Sequence, residues 1–273
     1  MRASFDQNVA MIIDPVPGNR SVPFDYGYDF SPRVSLGLIR DGIGGFRANY
    51  WYFDTEAPRE TVTAVAGATP IYLFVYGSGG NLTRNAYADL GETLRTSHDL
   101  RLQAFDIEYF DCVSALGWQL QPSAGIRIAE IKQHLRGDVF SGAVLQETVT
   151  NDLNVQGVGP TVALRASRCF GSSPFGFYSS LRGSLLLSQT QQQIYEMKNA
   201  GVDHVLDHDD HDEVITVIDL GLGLRYARRM GNGLLATATV GYEVQSWQDV
   251  GGPVDSTSSL GLDGIATSFV FGY

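Results

Sequence analysis

The sequence has no uninterrupted run of about 18 apolar residues, so no helix of the kind that crosses a bilayer is expected. Cysteine is nearly absent: Cys112 and Cys169 are the two in the chain. They make no CxxC pair, which excludes a zinc ribbon or a dithiol redox motif. Both fall in expected turns two strands apart, so no disulfide is expected. Basic residues are few, 19 against 30 acidic ones, and the net charge of −11 argues against a nucleic-acid partner. Gly221-Leu-Gly223 begins a GxGxxG pattern, but Tyr226 stands where the third glycine would be and the stretch reads as a strand. Dinucleotide binding is not supported. The opening residues, Met1-Arg-Ala-Ser-Phe-Asp-Gln-Asn8, lack the apolar centre of an export signal.

What the chain does have is alternation. From residue 31 onward, apolar side chains recur at every second position. Val214, Thr216, Ile218, Leu220, Leu222, Leu224 and Tyr226 share one face, while Asp219, Gly221, Gly223, Arg225 and Ala227 share the other. After a tight turn at 230–233 the pattern resumes from Leu234 to Val244. The last residues place Ile265, Thr267, Phe269, Phe271 and Tyr273 on one face and Ala266, Ser268, Val270 and Gly272 on the other. A soluble sheet that ended so would leave an apolar edge open to pairing. A bacterial outer-membrane barrel closes on such a strand and sets its terminal ring at the lipid boundary.

Nine strands are expected, at 31–40, 45–54, 98–111, 117–139, 146–168, 174–193, 213–229, 233–248 and 257–273. Short turns alternate with longer connections, as they do between the periplasmic and outer ends of such barrels. Even strand counts are the rule there, so a tenth strand is expected before residue 31, with Asn8–Asp14 as its upper end and 15–30 as a loop. Its lower end and the export signal are expected upstream of Met1. The expected fold is therefore all-β: one closed, antiparallel, up-and-down transmembrane barrel over 1–273, of ten strands (eight or twelve being the alternatives), with the first incomplete. Segment 55–97 reads as a long loop or an insert in the lumen, and 194–212 as an acidic extracellular loop.

Several motifs, taken in order, resemble a known family. They are Ser31-Pro-Arg-Val-Ser-Leu-Gly-Leu38, Gly44-Gly-Phe-Arg-Ala-Asn-Tyr-Trp-Tyr-Phe-Asp54, Phe105-Asp-Ile-Glu-Tyr109, Ala124-Gly-Ile-Arg-Ile-Ala-Glu130, Val155-Gln-Gly-Val-Gly-Pro-Thr-Val-Ala-Leu164, Leu181-Arg-Gly-Ser-Leu-Leu-Leu187 and Gly223-Leu-Arg-Tyr226. The chain resembles pore-forming outer-membrane proteins related to the Legionella major outer membrane protein, over roughly 31–273. The resemblance implies an outer-membrane barrel acting as a pore, and it brings no catalytic residue with it.

On this reading Arg47, Asp106, Glu108, Arg127, Arg165, Arg182, Asp219, Arg225 and Glu243 point into the lumen, because an Arg facing lipid at mid-depth would cost about 2–4 kcal/mol. They either line a pore of mixed charge or plug it with ion pairs, since a barrel of about eight strands is just wide enough for its side chains. Trp118, Tyr226, Tyr242, Phe269, Phe271 and Tyr273 are the candidate interface aromatics. His204, His208 and His211 would share one face of a helix and are weak metal candidates; the plainer reading is a solvated acidic loop. No cofactor is expected. The expected partners are outer-membrane lipid, lipopolysaccharide and the barrel-assembly machinery, which would take the C-terminal strand; the sequence leaves the oligomeric state open. The expected role is passive diffusion of small solutes or ions. The alternatives are a non-conducting surface barrel, a soluble β-sandwich binding module, and an outer-membrane protease using rim residues such as His98 and His204.

Overall fold

The computed structural model describes residues 1–14, 18–40, 44–231 and 233–272. Its strands, in chain order, are β1 (Arg2–Phe5), β2 (Met11–Ile13), β3 (Arg20–Val22), β4 (Arg33–Arg40), β5 (Gly44–Thr63), β6 (Ile71–Tyr76), β7 (Leu82–Ala88), β8 (Glu92–Asp111), β9 (Val113–Ala115), β10 (Trp118–Ser141), β11 (Val144–Cys169), β12 (Phe175–Lys198), β13 (Asp203–Arg229), β14 (Leu235–Gln248) and β15 (Leu260–Gly272). One sheet runs in the order β1-β15-β14-β13-β12-β11-β10-β8-β5-β4, with β9 added beside β10, and its pairings are antiparallel. A second sheet has the order β3-β2-β6-β7.

Each of the nine expected strands is present. Several run further than expected, because alternation continues after the outer face turns polar. Strand β13 has 27 residues and β11 has 26, whereas about 9–11 suffice to cross a bilayer. On the shorter-looping side, the faces follow the alternation. Leu222 is 64% exposed and Leu38 81%, while Arg127 and Arg182 on the opposite face are buried.

Three expectations change. The strand beside β15 is Arg2–Phe5, paired with Leu260–Asp263, and not the expected segment Asn8–Asp14. Residues 11–13 of the expected segment Asn8–Asp14 pair with β3 and β6 instead. Residues 55–63 and 92–97 extend β5 and β8, and the hairpin β6–β7 lies between them. The segment 194–212 is mostly strand: Asp203–Glu213 pairs residue by residue with Ser188–Lys198, and the turn is confined to 199–202. Like charge along one strand is offset here by neighbours across it. Arg84 of β7 makes a 2.9 Å ion pair with Asp207, and the partner strand presents uncharged Gln189, Gln191, Gln192 and Gln193. The expected turns Asp41–Gly44 and Met230–Asn232 lie partly outside the described residues, and Tyr273 lies outside them.

The main sheet curls until distant strands meet. Trp51 of β5 stacks on Trp247 of β14 with ring centroids 6.1 Å apart. Arg33 of β4 reaches Glu243 of β14 at 3.4 Å. Beside the two path ends, Met1 and Asp29 exchange backbone hydrogen bonds; the Asp29 N–H donates to the Met1 carbonyl at 2.8 Å. Tight curvature needs glycine where a ring lies on the ladder. Tyr178 covers Gly223 and Gly241, and a Cβ on Gly241 would stand 2.5 Å from the Tyr178 hydroxyl.

The hydrophobic core sits on the concave face at the end away from the short turns. Phe53, Leu94, Leu100, Leu102, Ile131, Leu135, Leu153, Leu186 and Trp247 are fully or almost fully buried there. The small sheet closes over them with Met11, Ile71, Leu73 and Val75. Leu73 rests on Gly137, where a Cβ would lie 2.6 Å from its Cδ2. Leu73→Ala should therefore destabilise the folded protein by about 2–5 kcal/mol, read as a lower urea midpoint of tryptophan fluorescence in detergent micelles. An unchanged midpoint would show that the small sheet contributes little to the core.

Candidate functional site

The buried charges lie below this apolar zone, toward the short turns. Period-two geometry puts Arg47 and Asn49 of β5, Asp106 and Glu108 of β8, Arg127 of β10, Arg182 of β12 and Asp219 of β13 on the concave face. Glu108 accepts from Arg47 at 2.6 Å and also from Arg182. Arg127 donates to Asp106 through Nε at 2.7 Å and to Asp219 at 3.2 Å. Arg182 approaches Asp106 at 3.2 Å and Asp219 at 3.7 Å. Strands β8 and β12 are not neighbours, nor are β10 and β13, so these pairs span the interior. Side-chain amides and hydroxyls complete the layer: Arg47 donates to Gln121 at 2.9 Å, and Arg182 to Thr161 at 3.2 Å. The cavity among them measures about 20 Å³, roughly the space of one water molecule.

Of the nine residues expected on this face, seven meet in or border this layer. Arg225 lies nearer the short turns and donates to Gln119 at 2.9 Å and Ser167 at 2.8 Å. Glu243 faces Arg33. Sequence reasoning missed Arg33, Asn49, Gln121 and Trp247. Their parity was readable, but a partner several strands away leaves no local signal.

The aromatic expectations divide. Trp118 packs edge-on against Phe177 at 4.9 Å, and Tyr226 meets Phe175 at 5.0 Å, near the short turns. Phe269 and Phe271 are exposed on the convex face. Tyr242 instead donates to Asp263, which also takes the Tyr28 hydroxyl at 3.3 Å.

The histidine expectation is corrected by the strand. His204 and His208 occupy the exposed face of β13, and His211 the opposite one, so a helical spacing gathers nothing. The His204 Nδ1 is bonded to the Tyr195 hydroxyl at 2.7 Å. Among the described residues no group of three or more His, Cys, Asp or Glu could hold a metal ion. His98, considered with His204 as a rim residue, is not on the rim at all. It is buried between the rings of Phe5 and Phe24 and hydrogen-bonds Tyr26 at 2.6 Å.

This is a chain of antiparallel strands with an apolar convex face and charges paired in its interior. Residues 44–266 match the family described as the Legionella pneumophila major outer membrane protein precursor, and the chain belongs to that family. The family is one of outer-membrane proteins, not of enzymes. No curated protein and no solved structure matched the chain.

Burial pushes the His98 imidazole down to about 3 from its ordinary 6.5. Above pH 6.5 both folded and unfolded chains hold it neutral. As pH falls from 6.5 toward 3 the unfolded chain takes up the extra proton, so stability drops by up to about 1.4 kcal/mol per pH unit. His98→Phe should flatten that part of the acid limb, measured as urea midpoint against pH. Identical slopes in the two proteins would contradict a buried neutral His98.

Proposed function

We propose that the protein is an outer-membrane β-barrel of ten strands whose lumen is filled by its own side chains, a surface or structural barrel rather than an open diffusion pore. The observation that carries this reading is the Arg47–Glu108–Arg182–Asp106–Arg127–Asp219 network, which crosses the interior and leaves a cavity of about 20 Å³. The small sheet above it adds a second obstruction. Family membership supports the location, and the exposed belt of Leu36, Leu38, Ile126, Leu185, Leu187 and Leu222 supports contact with lipid.

The Met1–Asp29 exchange supports closure of the ring at that level. Nearer the short turns, β4 pairs with β5 and β15 with β14, and neither has a second ladder partner there among the described residues. Hydrocarbon tolerates no open backbone edge. A stretch of strand in line with β1, antiparallel to both edges, would complete the wall. The capped end faces outward and the short turns face the periplasm. Above the lipid belt the convex face carries Arg101, Lys132, His134, Asp152 and Gln191, polar enough to meet lipopolysaccharide headgroups. The Phe269–Phe271 end is the segment offered to the assembly machinery.

In planar bilayers the wild-type protein should give no discrete conductance steps, whereas Arg47, Glu108 and Arg182 changed together to Ala should admit small ions. Regular steps from the wild type would restore the open-pore reading. The lipid face has its own test. Leu222→Arg should cost about 2–4 kcal/mol in folding into vesicles, with Leu222→Phe near the wild type. Equal folding of the two would refute the assignment of faces.

A further inference from the structure

We propose that a groove on the convex face, just above the apolar belt, binds a neutral oligosaccharide. The inference rests on the reading of that belt as the lipid-facing surface, and it names a ligand for the polar band above it.

The ladder register sets the place. Phe105, Ile128, Val158, Leu187 and Val214 stand side by side in one row, and all five are exposed. Four residues further toward the capped end, about 13 Å along each strand, lies the row Arg101, Lys132, Asn154, Gln191 and Asp210. The next row beyond it is Asp99, His134, Asp152, Gln193 and His208. These two rows line a groove of about 600 Å³, a volume usual for ligand sites. Its distance from the apolar row puts it at the level of lipid headgroups.

The lining selects the ligand. Leu100 and Leu153 border the groove but turn their side chains to the buried face, so the side chains exposed in it are polar. It offers no apolar pocket of the kind that anchors a peptide. Four carboxylates, Asp54, Asp99, Asp152 and Asp210, stand against Arg101, Lys132 and His134, and a phosphate or other anion gains nothing from that balance. Asp152 is bonded to His134, and Asp54 accepts from Tyr52 at 2.9 Å. Asp99 and Asp210 make no hydrogen bond or ion pair with a described residue. They lie four strand spacings apart, roughly 19 Å, too far to converge on one cation. On β12, between them, Gln191 and Gln193 are exposed and bond no described residue. Each amide both donates and accepts, as each hydroxyl of a sugar does. What fits is a neutral, extended chain that donates and accepts hydrogen bonds along its length.

The test is a glycan array probed with the folded, labelled protein in lauryldimethylamine oxide micelles, which carry no sugar. The array holds neutral hexose and N-acetylhexosamine oligomers, their phosphorylated counterparts and extended peptides. Neutral oligomers should retain the wild type. The double variant Gln191→Ala, Gln193→Ala should bind them at least about ten-fold more weakly, the loss expected for about two hydrogen bonds. Both positions are exposed, so the variant should fold; Asp210→Ala is the second variant if it does not. The retained oligomer is then offered free and linked to a diacyl lipid in nanodiscs. Tighter binding of the linked form assigns a membrane glycolipid, and equal or weaker binding a soluble glycan; both support the site. No retention by any neutral oligomer, a preference for phosphorylated oligomers or peptides, or an unweakened double variant would overturn it. Each of those results would leave the lipid-facing belt standing, since that reading fails on Leu222→Arg instead.

Discussion

The pairing of Glu108 with Arg47 and Arg182, and of Arg127 with Asp106 and Asp219, is the constraint on which the structure depends. In the proposed barrel every strand must turn its charges inward, because a charge on the convex face would face hydrocarbon. Once inside, a charge shut away from water needs an opposite charge beside it, because an unpaired ion in a dry interior is far more costly than one in water. Removing one member is expected to hurt more than the pair is worth, since the partner is left buried and alone. Glu108–Arg182 and Arg127–Asp219 join strands that are not neighbours in the sheet, so these two also limit how far the sheet can uncurl.

Above the charged layer the concave face changes character without changing parity. Strand β8 carries Leu94, Thr96, His98, Leu100, Leu102, Ala104, Asp106 and Glu108 on one face, apolar toward one end and charged toward the other. The apolar half is buried under β6 and its neighbours. The convex face runs the opposite way, apolar beside Phe105 and Ile107 and polar beside Arg101 and Gln103. The same strands therefore serve two environments. Where the convex face is apolar the inside is ionic; where it is polar the inside is an ordinary hydrophobic core.

Much of this was legible in the sequence because period two is a strong signal over long strands. The faces of Val214–Tyr226 and the inward Arg127 and Arg182 followed from spacing alone. The acidic stretch Asp203–Glu213 was misread because repulsion along one strand was weighed without the glutamines across the ladder or Arg84 from β7. Strands β1, β2 and β3 are three or four residues long, too short for alternation to register. The small sheet left one clue: Leu100, Leu102, Leu135 and Leu153 share the parity of the interior charges, so something apolar had to cover them. Asn49, Arg33 and Trp247 entered the site through partners several strands away, which no local pattern encodes.

The account stands most directly on contacts made across the interior, and a double-mutant cycle between Glu108 and Arg182 measures one of them. The single variants Glu108→Gln and Arg182→Gln and the double variant would be compared by reversible folding into lipid vesicles. A pair that meets across a filled lumen should show a coupling of at least about 1.5 kcal/mol. Additive effects, with coupling near zero, would mean that β8 and β12 do not face each other across a closed and filled interior.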